Sequence, residues 1–116
     1  MVRENLVHEL SSGNVTAIGL WDDQRLCGVA VWKVFEAARL CKGILVAVAN
    51  GQRRKGYGRQ LKTAMMTSAR AAGAVAISST VDRRNDGMIA LNRSVGAVFE
   101  AIPDDPDNLR CTVALR

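Results

Sequence analysis

The alternation of apolar and polar positions divides the chain into short strands first and helices later. Val15 to Trp21 is β-branched and apolar, Asp22-Asp23 interrupts it, and Leu26 to Phe35 resumes it, which predicts a hairpin. In the second of these segments Cys27, Val29 and Val31 oppose Ala30, Trp32 and Val34. Both faces are apolar, which predicts a central strand covered on both sides. Ile44 to Ala49 is an unbroken apolar run bounded by Gly43 and Asn50-Gly51, too short for a helix, and predicts a buried strand. The period then changes. From Tyr57 to Ala72 the apolar residues fall at Leu61, Ala64, Met65, Ala69 and Ala72, intervals of three and four that predict a helix stopped by Gly73. Val75 to Ser79 predicts another strand. Met88, Leu91 and Val95 share one face of a second helix, from Asp86 to Val95, with Gly96 as its stop. Two strands, Ala97 to Ile102 and Leu109 to Leu115, close the chain around the acidic, proline-containing stretch from Ile102 to Asn108, which reads as a loop.

The order is β-β-β-α-β-α-β-β. It predicts an α/β (α+β) domain with a mixed, mostly antiparallel sheet and helices on its faces, in which the unit from Ile44 to Ser79 is a right-handed parallel crossover. The 116 residues suit one domain. Residues 1–14 form a short segment ahead of the hairpin, with room for one short helix from Arg3 to Leu10.

Charge adds a direction. Sixteen Lys and Arg against eleven Asp and Glu give +5, which favours nucleic acid, acidic lipid or a phosphorylated ligand. Three cysteines, Cys27, Cys41 and Cys111, have no C-x-x-C spacing, and His8 is the single histidine. That argues against a zinc site and for free thiols in a reducing cytoplasm. No apolar run reaches the roughly 18 residues that span a bilayer. With Trp21, Trp32, Phe35, Tyr57 and Phe99 as the aromatic residues, no stacking platform for nucleic acid is evident.

The charge concentrates in one place. Gln52-Arg53-Arg54-Lys55-Gly56-Tyr57-Gly58-Arg59 lies between the buried strand and the first helix. Gly56 and Gly58 allow a tight turn and close approach of a ligand. The first helical N–H groups lack intrahelical partners and carry the positive end of the helix dipole. Arg53, Arg54, Lys55 and Arg59 surround them, an arrangement suited to a diphosphate. A plain basic surface loop is the alternative. A P-loop is excluded by the absence of G-x-x-x-x-G-K-[ST], and Leu61 occupies the place of the third glycine of a dinucleotide fingerprint.

Arg53 to Gly58 resembles the R/Q-x-x-G-x-G/A pattern of the GCN5-related N-acetyltransferase (GNAT) superfamily. The stretch from Asn85 to Ala97 resembles that family's N-x-x-A-I-x-L-Y-x-x-x-G-F with substitutions. The resemblance runs from about Val15 to the C-terminus. It implies acetyl-CoA as cofactor and transfer of the acetyl group to a small-molecule or peptide amine by direct attack. It also implies a sheet splayed between the strands at Ile44 to Ala49 and Val75 to Ser79, with the pantetheine arm on the Val46-Ala47-Val48 strand and the pyrophosphate on the amides of Arg54 to Arg59. Asn85 would hold the pantetheine arm, and it equally suits a helix N-cap.

Three departures accompany the resemblance. Asn92 stands where the family often has a Tyr that protonates the leaving thiolate; an amide can hydrogen-bond sulfur but is no acid. Thr80 stands where some members have a Glu base. Glu36, Glu100 and Asp82 are alternative proton acceptors, although each also reads as an ordinary surface charge. The family's first strand and two helices have little room ahead of Val15, which predicts a homodimer that supplies the missing wall. A coenzyme A-binding module without chemistry is the alternative function, and a small basic nucleic-acid binder a third.

Overall fold

The computed structural model describes residues 6–12, 15–51 and 56–115, the first of these as backbone alone. Nine elements follow in order: β1 (Leu6–Ser12), β2 (Val15–Asp22), β3 (Arg25–Phe35), β4 (Leu40–Val48), α1 (Tyr57–Ala71), β5 (Ala76–Asp82), α2 (Asp86–Ser94), β6 (Val98–Ile102) and β7 (Asp105–Ala114). They build one mixed sheet in the order β1-β2-β3-β4-β5-β7-β6. Only β4 and β5 run parallel. This is the mixed, mostly antiparallel sheet that the apolar pattern predicts.

The N-terminal segment departs from expectation. Leu6 to Leu10, within the proposed short helix, is strand, paired with β2 from Leu6↔Trp21 to Ser12↔Val15. A strand here satisfies the backbone edge that β2 would otherwise expose. Arg3 to Asn5 lie outside the described residues.

The strand expected from Ile44 begins earlier, at Leu40, because the turn after β3 closes directly into a hairpin. Arg39 takes φ 55° and its N–H bonds the Glu36 carbonyl at 3.0 Å. The proline-containing stretch is likewise shorter as a loop than the sequence suggests. Pro103-Asp104 forms the turn, with Asp104 at φ 64°, and β7 resumes at Asp105. Pairing with β6 jumps from Ile102↔Asp105 to Ala101↔Leu109, so Pro106 sits in a bulge, where its missing N–H breaks no ladder bond to β6.

The core lies between the sheet and α1. Ile18, Leu20, Ala30, Trp32, Cys41 and Ile77 are buried against Tyr57, Leu61, Met65 and Ala69, which recur every four residues along the helix. Gly73 at φ 91° ends α1 in the left-handed region, and its N–H bonds the Arg70 carbonyl. The second face of β3 is not covered as expected. Cys27, Ala30, Trp32 and Val34 are buried, but Val29, Val31 and Lys33 are half-buried and Phe35 is exposed. Burial of both faces needs a second layer, and the described residues place no helix there: α1 and α2 wall the same cavity, on one side of the sheet.

Candidate functional site

The site begins with a ladder that stops. β4 and β5 pair at Leu40↔Ala76, Cys41↔Ile77 and Lys42↔Ser78, and no further. Beyond that point β4 continues along β3 to Val48, and β5 along β7 to Asp82. Register with β3 shifts between Val31↔Leu45 and Trp32↔Gly43, leaving Ile44 as an extra residue on β4. Such a bulge bends its strand and turns its outer edge, and here it coincides with the opening of the sheet into a fork.

The direction of the free edge follows from strand period. The Ala49 N–H bonds the Cys27 carbonyl on β3 at 2.8 Å. Backbone groups alternate sides along a strand, so Ala47 and Leu45 also face β3, and Val46 and Val48 turn their N–H and C=O groups into the fork. A Cβ built on Gly28 would lie 2.8 Å from the Ala47 carbonyl oxygen, which fits Ala47 facing β3. Of the three site residues named on this strand, Val46 and Val48 thus present main chain to the fork and Ala47 does not.

A cavity of about 160 Å³ occupies the fork. Its walls come from β4 (Gly43 to Val46), β5 (Ser79 to Asp82), Lys62 and Met65 of α1, and Met88 and Asn92 of α2, with Asn85. Asn85 caps α2, its Oδ1 accepting from the Met88 N–H at 3.1 Å. It therefore serves as an N-cap and also lines the cavity. Asn92 is 1% exposed. Its Nδ2 donates to the Met88 carbonyl at 2.9 Å, and its Oδ1 is buried with no partner among the described residues. A buried acceptor left unpaired costs about 1–3 kcal/mol, which a donor entering the cavity would relieve.

The start of α1 adjoins the wide end of the fork. Gly56 occupies its N-cap position at φ 80°, supplies no side-chain cap, and the first turn contains no acidic residue. The next opening amides, Gly58 and Arg59, have no partner within the helix and are left for one outside it. A Cβ on Gly58 would lie 3.3 Å from Leu91 Cδ2 and 3.7 Å from Val48 Cγ2. The small residue lets α2 and β4 close on the helix start. Tyr57 is buried in the core and Arg59 is exposed. Arg53, Arg54 and Lys55 lie outside the described residues.

Acid–base groups are sparse. Glu36 and Glu100 are exposed and do not line the cavity. Thr80 lines it but does not titrate. Asp82 lines it too, but its carboxylate accepts from Arg84 Nε at 3.1 Å, Nη2 at 3.0 Å and the Arg84 N–H at 2.8 Å. The side-chain bonds, then the backbone bond, hold its pKa down to about 2, too weak a base to take a proton from an ammonium. No sequence motif marks Lys62. It follows Leu61 and precedes Met65 by three, inside the apolar arc of α1, and it is 2% exposed. Burial lowers its pKa. The three cysteines are free and buried, and burial pushes Cys41 up to about 11. No group of metal-ligating side chains occurs among the described residues, and no described helix is long and apolar enough to cross a membrane.

Solved structures share the architecture. A Bacillus subtilis acetyltransferase in complex with CoA superposes with a TM-score of 0.77 at 19% identity, covering 89% of this chain and 78% of that one. Nourseothricin acetyltransferase gives 0.78 at 21%, over 89% and 66%. The PaiA N-acetyltransferase of Thermoplasma acidophilum in complex with coenzyme A gives 0.78 at 15%, over 87% and 61%. At these identities the likeness establishes the fold, and the chain spans less than two thirds of the last two relatives' length. No curated protein matches the chain in sequence. The family model for the acetyltransferase (GNAT) family matches residues 3–97, a range that takes in β1, the fork, the glycine loop and both helices. With the match extending over most of its length, the chain belongs to the GNAT acetyltransferase family.

Proposed function

We propose that the chain binds acetyl-CoA in the fork between β4 and β5 and transfers the acetyl group to an amine. The observation that carries this reading is the free main-chain edge of Val46 and Val48 beside the uncapped start of α1. An amide-bearing arm can complete the interrupted ladder while a diphosphate meets the helix amides. The basic residues Arg53, Arg54 and Lys55 belong to the same loop, and Arg59 adds an exposed cation. Asn85 and Asn92 complete the set, the second with an acceptor still to be satisfied.

Chemistry in such a site comes from placement more than from acid–base catalysis. The fork-facing N–H groups of β4 are donors to an oxyanion developing on the acyl carbon, and the walls hold donor and acceptor in line. The remaining Nδ2–H of Asn92 is a donor for the leaving sulfur. The acceptor amine must arrive neutral, since Asp82, the carboxylate on the cavity wall among the described residues, is too weak a base to deprotonate it.

The alternative, a coenzyme A-binding module without turnover, draws on Asn92 in place of an acid and on Asp82 held by Arg84. Nucleic-acid binding draws less support: Trp32 and Tyr57 are buried, while Phe35 and Phe99 lie under Lys33 and Arg93. A homodimer fits the uncovered sheet face, where Phe35 and Leu40 are register partners and both exposed. Free buried thiols fit a reducing, cytoplasmic setting.

Calorimetric titration with acetyl-CoA, CoA and a short DNA duplex tests the binding reading, and thiol release across a panel of small amines and peptide N-termini tests transfer. Binding of acetyl-CoA with release on at least one amine is expected. Binding with no release on any amine favours the module, and duplex binding alone overturns the proposal. Sedimentation velocity checks the dimer.

A further inference from the structure

The sheet-facing side of α1 holds one residue that the apolar stripe does not call for. Lys62 lies among Leu61, Met65 and Ala69, is 2% exposed, and forms part of the cavity wall in the fork. Its position along the fork follows from its neighbours. The amine interacts electrostatically with Cys41 of β4 and Cys111 of β7. Those residues pair with Ile77 and Ser79 of β5, on either side of Ser78, where the parallel ladder ends. Met65, one turn on along α1, lies at the bulge itself, where a Cβ on Gly43 would meet Ser79 Cβ at 3.3 Å and Met65 Sδ at 3.5 Å; Lys62 lines the same cavity beside it, towards the closed end of the fork.

Burial disfavours a positive charge there and outweighs the smaller opposing influence of Cys111 and Cys41. Among the described residues Lys62 has no hydrogen bond and no ion pair. Burial raises the pKa of both cysteines and leaves their thiols uncharged near neutral pH. Asp82, the one carboxylate on the cavity wall among the described residues, is occupied by Arg84. Asn85 and Asn92 of α2 do not titrate. Burial accordingly favours the neutral amine, which is the nucleophilic form.

Building on the reading of the fork as an acetyl-CoA site, we propose that Lys62 is itself an acyl acceptor, a self-acetylation site towards the closed end of the fork. The Nζ lone pair forms the C–N bond at the thioester carbonyl carbon. The C–S bond breaks and sulfur leaves with its electron pair. The proton lost from Nζ ends on that sulfur, giving Nε-acetyl-Lys62 and the free thiol of CoA, with no change of oxidation state. The product exchanges a buried ionisable group for a neutral amide, whose N–H is a donor in a cavity where the Asn92 Oδ1 acceptor is unpaired.

The test needs no external acceptor. The purified chain is incubated with acetyl-CoA, alone and in competition with CoA, and followed by intact mass and peptide mapping, with calorimetry on the same sample. The expected result is one acetyl group per chain, on Lys62 well ahead of exposed Lys42 and half-buried Lys33, suppressed by CoA. Lys62→Met, checked for fold by circular dichroism, is expected to lose this fast acetylation and to keep only the slow background on Lys42 and Lys33. Calorimetric binding with Lys62 unmodified overturns the proposal, as does acetylation of Lys42 at the same rate as Lys62. Absence of binding overturns instead the reading of the fork on which it rests.

Discussion

Asn92 donates from Nδ2 to the Met88 carbonyl, one turn back on α2, at 2.9 Å, while its Oδ1 is buried and unpaired. A residue with one polar atom satisfied and the other waiting is balanced between stability and binding. Asn92→Leu removes the orphaned acceptor, a relief of about 1–3 kcal/mol, and forfeits a neutral hydrogen bond of about 1 kcal/mol. The expected outcome is a ligand-free protein more stable by about 1 kcal/mol, seen as a higher urea midpoint at unchanged slope, together with weaker acetyl-CoA binding. For turnover, Asn92→Ala is expected to cost about two- to twelve-fold, the effect of one neutral hydrogen bond. A loss of several orders of magnitude with cofactor affinity preserved would contradict a hydrogen-bonding role.

Gly58 separates two reasons for a small residue. The sequence offers room for a ligand; the structure adds room for Leu91 and Val48. Gly58→Ala gains up to about 1 kcal/mol of helix propensity, offset by the tight Leu91 contact, and is expected to change stability little. Gly58→Val inserts two further methyl groups and is expected to destabilise by about 1–3 kcal/mol. In the double variant Gly58→Val, Leu91→Ala, thermal stability should recover part of that loss. Recovery of acetyl-CoA affinity along with it would show that Gly58 serves packing alone.

The pair of Asp82 and Arg84 carries a pH dependence of defined sign. Its folded pKa of about 2 lies below the ordinary 3.8, so the folded state favours the ionised carboxylate. The contribution is therefore complete above about pH 4 and disappears as pH falls through about 2. Asp82→Asn is expected to differ from the parent above that window and to converge with it below. Because Arg84 is exposed, the difference should shrink in molar salt, where screening acts over about 3 Å. Urea midpoints across pH 2–6 measure the convergence, and a carboxyl carbon titration near the ordinary value would contradict it.

Cys27, Cys41 and Cys111 are each at most 1% exposed. A thiol reagent is expected to label none of them rapidly in the native chain and all three in guanidinium. Raising pH to about 9 should not make Cys41 reactive, since burial pushes its pKa to about 11. Fast labelling of native Cys41 would show that the core around Lys62 opens.

Element types and most of their order are legible from the residues alone. Periods of two and of three to four are local properties, and Gly73 and Gly96 end helices wherever those helices pack. Asn85 is likewise legible as a cap, because the Asn-x-x-Met geometry closes within one turn. The glycines ahead of α1 were legible for the same reason. Tertiary structure decided the rest. Residues 6–12 became strand because β2 offered an unpaired edge, a partner that no local propensity announces. The second face of β3 stayed half-open because covering it requires an element from elsewhere. Ala47 turned from the fork while Val46 and Val48 faced it because pairing with β3 set the phase of the alternation. Lys62 joined the cavity wall because the apolar arc of α1 is wider than the residues that announce it, and a lysine within that arc is carried inside with its neighbours. Phase, partner and burial belong to pairs of segments, and only the folded chain brings those pairs together.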